Sequence, residues 1–193
     1  MQSKQIVLVL GGTRSGKSAF AERLAAQAGG LVTYIATAVV TDPEMARRVA
    51  AHRIRRPEYW RTVEESLNLA GAVRLYGHDS RVILIDCLSV WLGNILYSRE
   101  EQPPEHVQAF VEQQVDELSV ACREVPAGVI MVASEVGLGV VPAHPLGRLF
   151  RDLAGMVNQR LAAVSDRVYL VVAGLAVDLR QLAGVTQLCG EEL

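Results

Sequence analysis

The chain has 193 residues, enough for one domain with a sizeable core, and its 50% hydrophobic and 21% charged content is that of an ordinary globular protein. A formal net charge of −2 leaves no global basic field for nucleic acid or a membrane surface. No apolar run is long enough to span a bilayer, no signal peptide precedes the first apolar run, and Cys87, Cys122 and Cys189 are too widely spaced for a disulfide framework or zinc motif, so the reading is a cytoplasmic protein with reduced thiols.

Ile6 to Leu10 is an apolar run that reads as a buried strand. Gly11-Gly12-Thr13-Arg14-Ser15-Gly16-Lys17-Ser18 follows, and then a helical segment from Ala19 to Ala28. Strand, glycine loop and helix is the setting of a phosphate-binding loop, and Gly11, Gly16, Lys17 and Ser18 occupy its fixed positions. The glycines let successive N–H groups turn toward phosphate oxygens, and the helix adds its positive end. Lys17 supplies a mobile charge for the outer phosphates and Ser18 a hydroxyl suited to Mg²⁺. Arg14 is either a further phosphate contact or a solvated loop residue.

In the first helix Phe20, Leu24 and Ala28 recur at helical spacing, and Gly29-Gly30 stops it. Leu31 to Ala36 is a second strand. Thr41 or Asp42 can cap a helix running from Pro43 to Arg56. That helix carries Arg47, Arg48, Arg53, Arg55 and Arg56 around His52, with no acid between Arg47 and Arg56. Such a face repels itself unless it meets an anion. Neighbouring cations also favour the neutral imidazole, the nucleophilic form, so His52 is either a solvated helix residue or a nucleophile toward an α-phosphate.

Tyr59 to Glu64 predicts a short strand ending in a carboxylate, and Leu67 to Leu75 a helix. Arg81 to Asp86 predicts a buried parallel strand, whose terminal Asp86 is either a Mg²⁺-directed carboxylate or a cap of the next helix. An apolar helix from Leu88 to Leu96, a polar linker from Ser98 to Pro104 and a long amphipathic helix from Glu105 to Arg123 follow. Gly128 to Ala133 is a strand that enters the glycine-punctuated loop Ser134 to Pro142, where ligands bind in parallel sheets. A helix from Leu146 to Val164, with Arg148, Arg151 and Arg160 available, precedes a strand from Arg167 to Val172. Leu175 to Leu179 can pair with that strand through Ala173-Gly174. The expected fold is a single α/β nucleotide-binding domain over residues 1–193. A P-loop kinase for another small alcohol, with His52 only structural, and a P-loop ATPase or regulatory module are the alternative functions these residues allow.

Several segments together carry a resemblance: Gly11 to Ser18, Tyr34-Ile35-Ala36-Thr37, Arg48 to Arg53, Trp60 to Glu64, Leu84 to Trp91, Ser134 to Pro142, Arg151 to Gly155 and Asn158 to Ala162. In this order they resemble the bifunctional adenosylcobinamide kinase / adenosylcobinamide-phosphate guanylyltransferase family of cobalamin biosynthesis. The resemblance implies a P-loop NTPase with a RecA-like, mostly parallel sheet flanked by helices, assembled as a homotrimer. It implies phosphorylation of adenosylcobinamide by ATP or GTP, then transfer of GMP from GTP through a GMP–histidine intermediate at His52, with Mg²⁺ as cofactor. It also implies nucleotide contacts from residues 11–18, from Ile35, Ala36 and Thr37, from Arg53, Ile54, Arg55 and Arg56, and from Glu64 and Asp86. Trp91 and the Ser134–Pro142 loop are candidates for contact with the corrinoid.

Overall fold

The computed structural model describes residues 4–39, 47 and 56–182. In chain order they form β1 (Ile6–Gly11), α1 (Lys17–Gln27), β2 (Val32–Ala36), β3 (Arg61–Glu64), α2 (Leu69–Tyr76) and β4 (Val82–Asp86). Then come α3 (Leu88–Ser98), α4 (Pro104–Glu124), β5 (Gly128–Ser134), α5 (Pro145–Val164), β6 (Arg167–Val172) and β7 (Leu175–Asp178). Of the arginine-rich helix expected from Pro43 to Arg56, only Arg47 and Arg56 are among the described residues.

The seven strands make one sheet in the order β3-β2-β4-β5-β1-β6-β7. Every neighbouring pair is parallel except the β6–β7 hairpin. This is the α/β architecture, with a mostly parallel sheet and flanking helices, that the motif order predicts. The continuous apolar runs are required because the central strands are covered on both faces. Ile6, Leu8 and Leu10 join Ile83, Ile85, Val129 and Met131 beneath α2, α3, α4 and α5. Val7 and Val9 point the other way and meet Val82, Leu84, Ile130 and Val132 beneath α1. Each such side chain contributes about 1.5–3 kcal/mol by leaving water.

The structure refines one sequence expectation and corrects another. The deepest residues of α1 are Ala21 and Ala25, both fully buried, while Phe20, Leu24 and Ala28 flank them. The helix leaves the phosphate loop directly above the sheet, so its contact face must be thin. Phe20 turns sideways onto the Tyr169 ring, with centroids 5.0 Å apart. Trp91 is core and no ligand platform: it is 1% exposed and its indole N–H donates to the Leu67 carbonyl at 2.8 Å. The arginines of α5 are also occupied. Arg160 pairs with Glu112 and Asp116 of α4, while Arg148 and Arg151 hold the backbone of the loop before their own helix. No helix among the described residues is long and apolar enough to cross a membrane.

Candidate active site

The parallel strands bring their C-terminal ends to one edge of the sheet, where βα loops collect. β1 ends at Gly11, opposite Ser134 of β5 and Val171 of β6. Gly11 is required by close packing, since a Cβ there would stand 2.6 Å from the Val171 carbonyl oxygen and 2.5 Å from Ser15 Oγ. Its carbonyl accepts the Glu135 N–H at 3.1 Å, which ties the loop to the chain leaving β5. The loop then closes on itself, Ser15 N–H donating to the Gly12 carbonyl at 3.2 Å. Gly174 N–H donates to the Ser15 carbonyl at 2.8 Å, so the β6–β7 turn braces the other side. Gly16, at φ 96°, is the left-handed residue that opens α1. Lys17 folds back over the loop and its Nζ donates to the Gly12 carbonyl at 3.2 Å. Thr13 and Arg14 are exposed.

Ser18 lies in the first turn of α1, and its Oγ donates to Asp86 Oδ1 at 3.3 Å. Asp86 ends β4, separated from β1 by β5 alone. Its other oxygen, Oδ2, accepts the Tyr34 hydroxyl at 2.8 Å. Burial, and after it the charge of Asp86, raises the Tyr34 pKa, so the phenol stays protonated and donating. The Arg56 guanidinium lies over the Tyr34 ring, 3.4 Å from its centroid. The backbone behind Asp86 is clasped by Thr37, whose hydroxyl accepts the Cys87 N–H at 2.9 Å and donates to the Cys87 carbonyl at 2.8 Å. Burial, with help from the Asp86 charge, pushes the Cys87 thiol up to about 11, so it stays neutral.

Of the residues expected at the site, Gly11 to Ser18 and Asp86 meet at one point. Thr37 adjoins them, fully buried and engaged with Cys87. Ile35 is also fully buried, in the core beneath the helices opposite α1. Ala36 pairs with both Glu64 and Asp86 across the sheet, so the three stand in one row. Glu64 is exposed at the β3 end of that row. Arg56 reaches the site through Tyr34. His52, Arg53, Ile54 and Arg55 lie outside the described residues.

The loop after β5 is held by its backbone and shows its side chains to solvent. Arg151 donates to the Gly137 carbonyl at 2.7 Å and Gly137 N–H to Glu135 Oε1 at 2.6 Å. Leu138, Val140 and Val141 are 88%, 95% and 60% exposed on it. The residue that sequence reasoning missed is Tyr34. A tyrosine in a strand carries no mark of its own, because its role depends on β2 lying beside β4.

Comparison with known proteins gives a consistent result. A profile of the CobU family, described as cobinamide kinase / cobinamide phosphate guanyltransferase, matches residues 7–179. The chain is 45% identical over 173 residues to the bifunctional adenosylcobalamin biosynthesis protein CobP of Pseudomonas aeruginosa, an alignment covering 90% of this chain and 96% of that protein. It is 41% identical over 181 residues to the bifunctional adenosylcobalamin biosynthesis proteins CobU of Escherichia coli and Salmonella typhimurium, covering 91% of this chain and 99% of each.

Proposed function

The chain belongs to the cobinamide kinase / cobinamide phosphate guanyltransferase family, and on that premise we propose that it is a cytoplasmic enzyme carrying out both reactions in one nucleotide-binding domain. In the first, the hydroxyl of adenosylcobinamide attacks the γ-phosphorus of ATP or GTP. The bond from that phosphorus to the bridging oxygen breaks, the nucleoside diphosphate leaves and the hydroxyl proton is lost. In the second, a ring nitrogen of neutral His52 attacks the α-phosphorus of GTP and pyrophosphate leaves. A phosphate oxygen of adenosylcobinamide phosphate then attacks the same phosphorus, the P–N bond breaks, and adenosylcobinamide-GDP is formed with His52 restored.

The observation that carries this reading is the meeting of the Gly11–Ser18 loop with Asp86, Ser18 Oγ standing 3.3 Å from Asp86 Oδ1. Two hard oxygen donors side a phosphate-binding loop, which is the donor set Mg²⁺ prefers. Ser18 and Asp86 are the residues that would hold it, and the bound ion neutralises charge on the phosphates. Lys17 and the N–H groups of Gly12 to Gly16 hold the triphosphate, Arg14 adds an exposed cation at its rim, and Arg53 to Arg56 supply further positive charge beside His52. Glu64, with Ala36 at the adjoining strand end, serves the guanosine, the buried Ile35 and Thr37 holding that strand end from within. The acceptor's corrin ring lies against Leu138, Val140 and Val141, whose loop is tied to Gly11. The homotrimer remains part of this proposal. It rests on the family resemblance, and the exposed Val172, Leu175 and Val177 at the β6–β7 edge offer an apolar face for another copy.

Incubation with GTP labelled at the α-phosphate tests the transfer step. The wild-type chain is expected to gain an acid-labile label with the mass of GMP, and His52→Ala to gain none while keeping its far-ultraviolet dichroism. A His52→Ala protein that still takes the label removes His52 from the mechanism.

A further inference from the structure

We propose that Tyr34 is a positioning residue for the metal-binding carboxylate, its phenol fixing the orientation of Asp86 while Arg56 fixes the phenol. The inference rests on the Mg²⁺ reading of Ser18 and Asp86 above. Tyr34 pairs with Leu84 across β2 and β4, two residues before the pair Ala36 and Asp86, so it shares a face with Asp86. The ring is 2% exposed, which is deep for a residue carrying a hydroxyl. That hydroxyl has one use among the described residues, the 2.8 Å bond to Asp86 Oδ2.

The consequence lies in the other oxygen. A carboxylate at a strand end rotates about its last bond, and a two-donor clamp removes that freedom. With Oδ2 held by Tyr34, Oδ1 is turned toward Ser18 of the phosphate loop. The phenol is itself held, because the Arg56 guanidinium lies over the ring, 3.4 Å from its centroid. Outer hydrogen bonds of this kind orient metal ligands, and their removal typically weakens metal binding by about 10–100-fold. A tyrosine present only to fill the core beside Ala21 and Ala25 predicts something else. Its loss of one hydroxyl would lower stability and leave metal affinity alone.

The test uses the full chain with GDP bound and Mn²⁺ as the probe ion, free Mn²⁺ being read by electron paramagnetic resonance. Tyr34→Phe keeps the ring and the Arg56 stack and removes the donor. Its Mn²⁺ dissociation constant is expected to rise about tenfold or more, with GDP affinity in EDTA unchanged within about twofold. Mn²⁺ affinity equal to wild type in a folded Tyr34→Phe protein overturns the inference. Failure of the wild-type GDP complex to bind Mn²⁺ overturns the metal reading itself, and the inference with it. Should Tyr34→Phe not fold, the near-ultraviolet tyrosine band of the wild-type GDP complex decides the matter. Adding Mg²⁺ is expected to perturb that band in wild type and not in Asp86→Asn, and a wild-type band indifferent to Mg²⁺ overturns the proposal.

Discussion

Replacing Gly11 by alanine, alongside the same change at Gly12, separates two glycines that stand next to each other in the loop. A Cβ on Gly11 would lie 2.6 Å from the Val171 carbonyl oxygen and 2.5 Å from Ser15 Oγ. Ser15 can rotate away. The Val171 carbonyl cannot, because it belongs to β6, which is hydrogen-bonded along β1 with Val171 opposite Gly11. The two strands must therefore part at the mouth of the loop, and overpacking of this kind costs about 1–3 kcal/mol. In a chain of this size each kcal/mol moves the melting temperature by about 2–4 °C, so a fall of roughly 2–12 °C is expected. A Cβ on Gly12 meets nothing within 4 Å, and its φ lies outside the left-handed region. Gly12→Ala should change stability by no more than about 0.5 kcal/mol. Thermal denaturation and calorimetric titration with GTP read both effects, and GTP affinity should fall with stability only for Gly11→Ala. A Gly11→Ala protein as stable as wild type, or a Gly12→Ala protein equally damaged, would refute the steric account of the motif.

Glu64→Gln should narrow the preference for GTP over ATP roughly tenfold, the size of one lost hydrogen bond to a charged group. Inhibition by pyrophosphate should not change; a parallel loss there would place Glu64 on the phosphates. Leu138→Ser with Val140→Ser should raise the KM for the corrinoid acceptor about tenfold or more, as the loss of apolar side chains that a bound acceptor would cover requires, with the KM for GTP unchanged in steady-state assays. An altered oligomeric mass with normal kinetics would instead make this loop a contact between copies. The Cys122 thiol, fully buried in the core, is pushed by burial up to about 12 from an ordinary 9. The folded state thus keeps a proton that the unfolded state releases above about pH 9, so this contribution is whole below pH 9 and lost as pH rises toward 12. Each pH unit in that window costs about 1.4 kcal/mol per thiol. Urea titrations at pH 8.5 and 10.5 should show a smaller decline for Cys122→Ala than for wild type, and equal declines would reject the assignment.

How much of this was legible in the sequence depended on whether neighbours along the chain or neighbours across the sheet were needed. Ile6–Leu10 and Val82–Asp86 announce themselves because strands covered on both faces need apolar side chains at every position. The β6–β7 hairpin was equally plain, since Ala173 and Gly174 take the left-handed φ values of 52° and 81° that its tight turn demands. Phe20, Leu24 and Ala28 of α1 pack on the core as their spacing predicts, and Ala21 and Ala25 lie deepest because close approach to a sheet selects small residues. Trp91 was misjudged because an indole N–H can be satisfied inside the core by a carbonyl such as that of Leu67. Tyr34 could not be found at all, since its contact with Asp86 requires knowing that β2 and β4 are adjacent.

That adjacency also sets the length of the site. Neighbouring strands lie about 4.8 Å apart, and β1 and β3 are four steps from one another in the sheet order. Gly11 at the end of β1 and Glu64 at the end of β3 are thus roughly 19 Å apart on this spacing, while Asp86, which Ser18 reaches, is roughly 10 Å from Glu64. Asp86 stands midway, level with Glu64 through Ala36 and bonded to Ser18. A nucleotide laid along the strand ends from the loop toward β3 passes the Asp86 carboxylate before its base meets Glu64. Tyr34, with Arg56 over its ring, adjoins Asp86 on this edge. On the proposed reading, the phosphate loop, Asp86 and Glu64 would thus follow one another along the sheet edge in the order from phosphates to base.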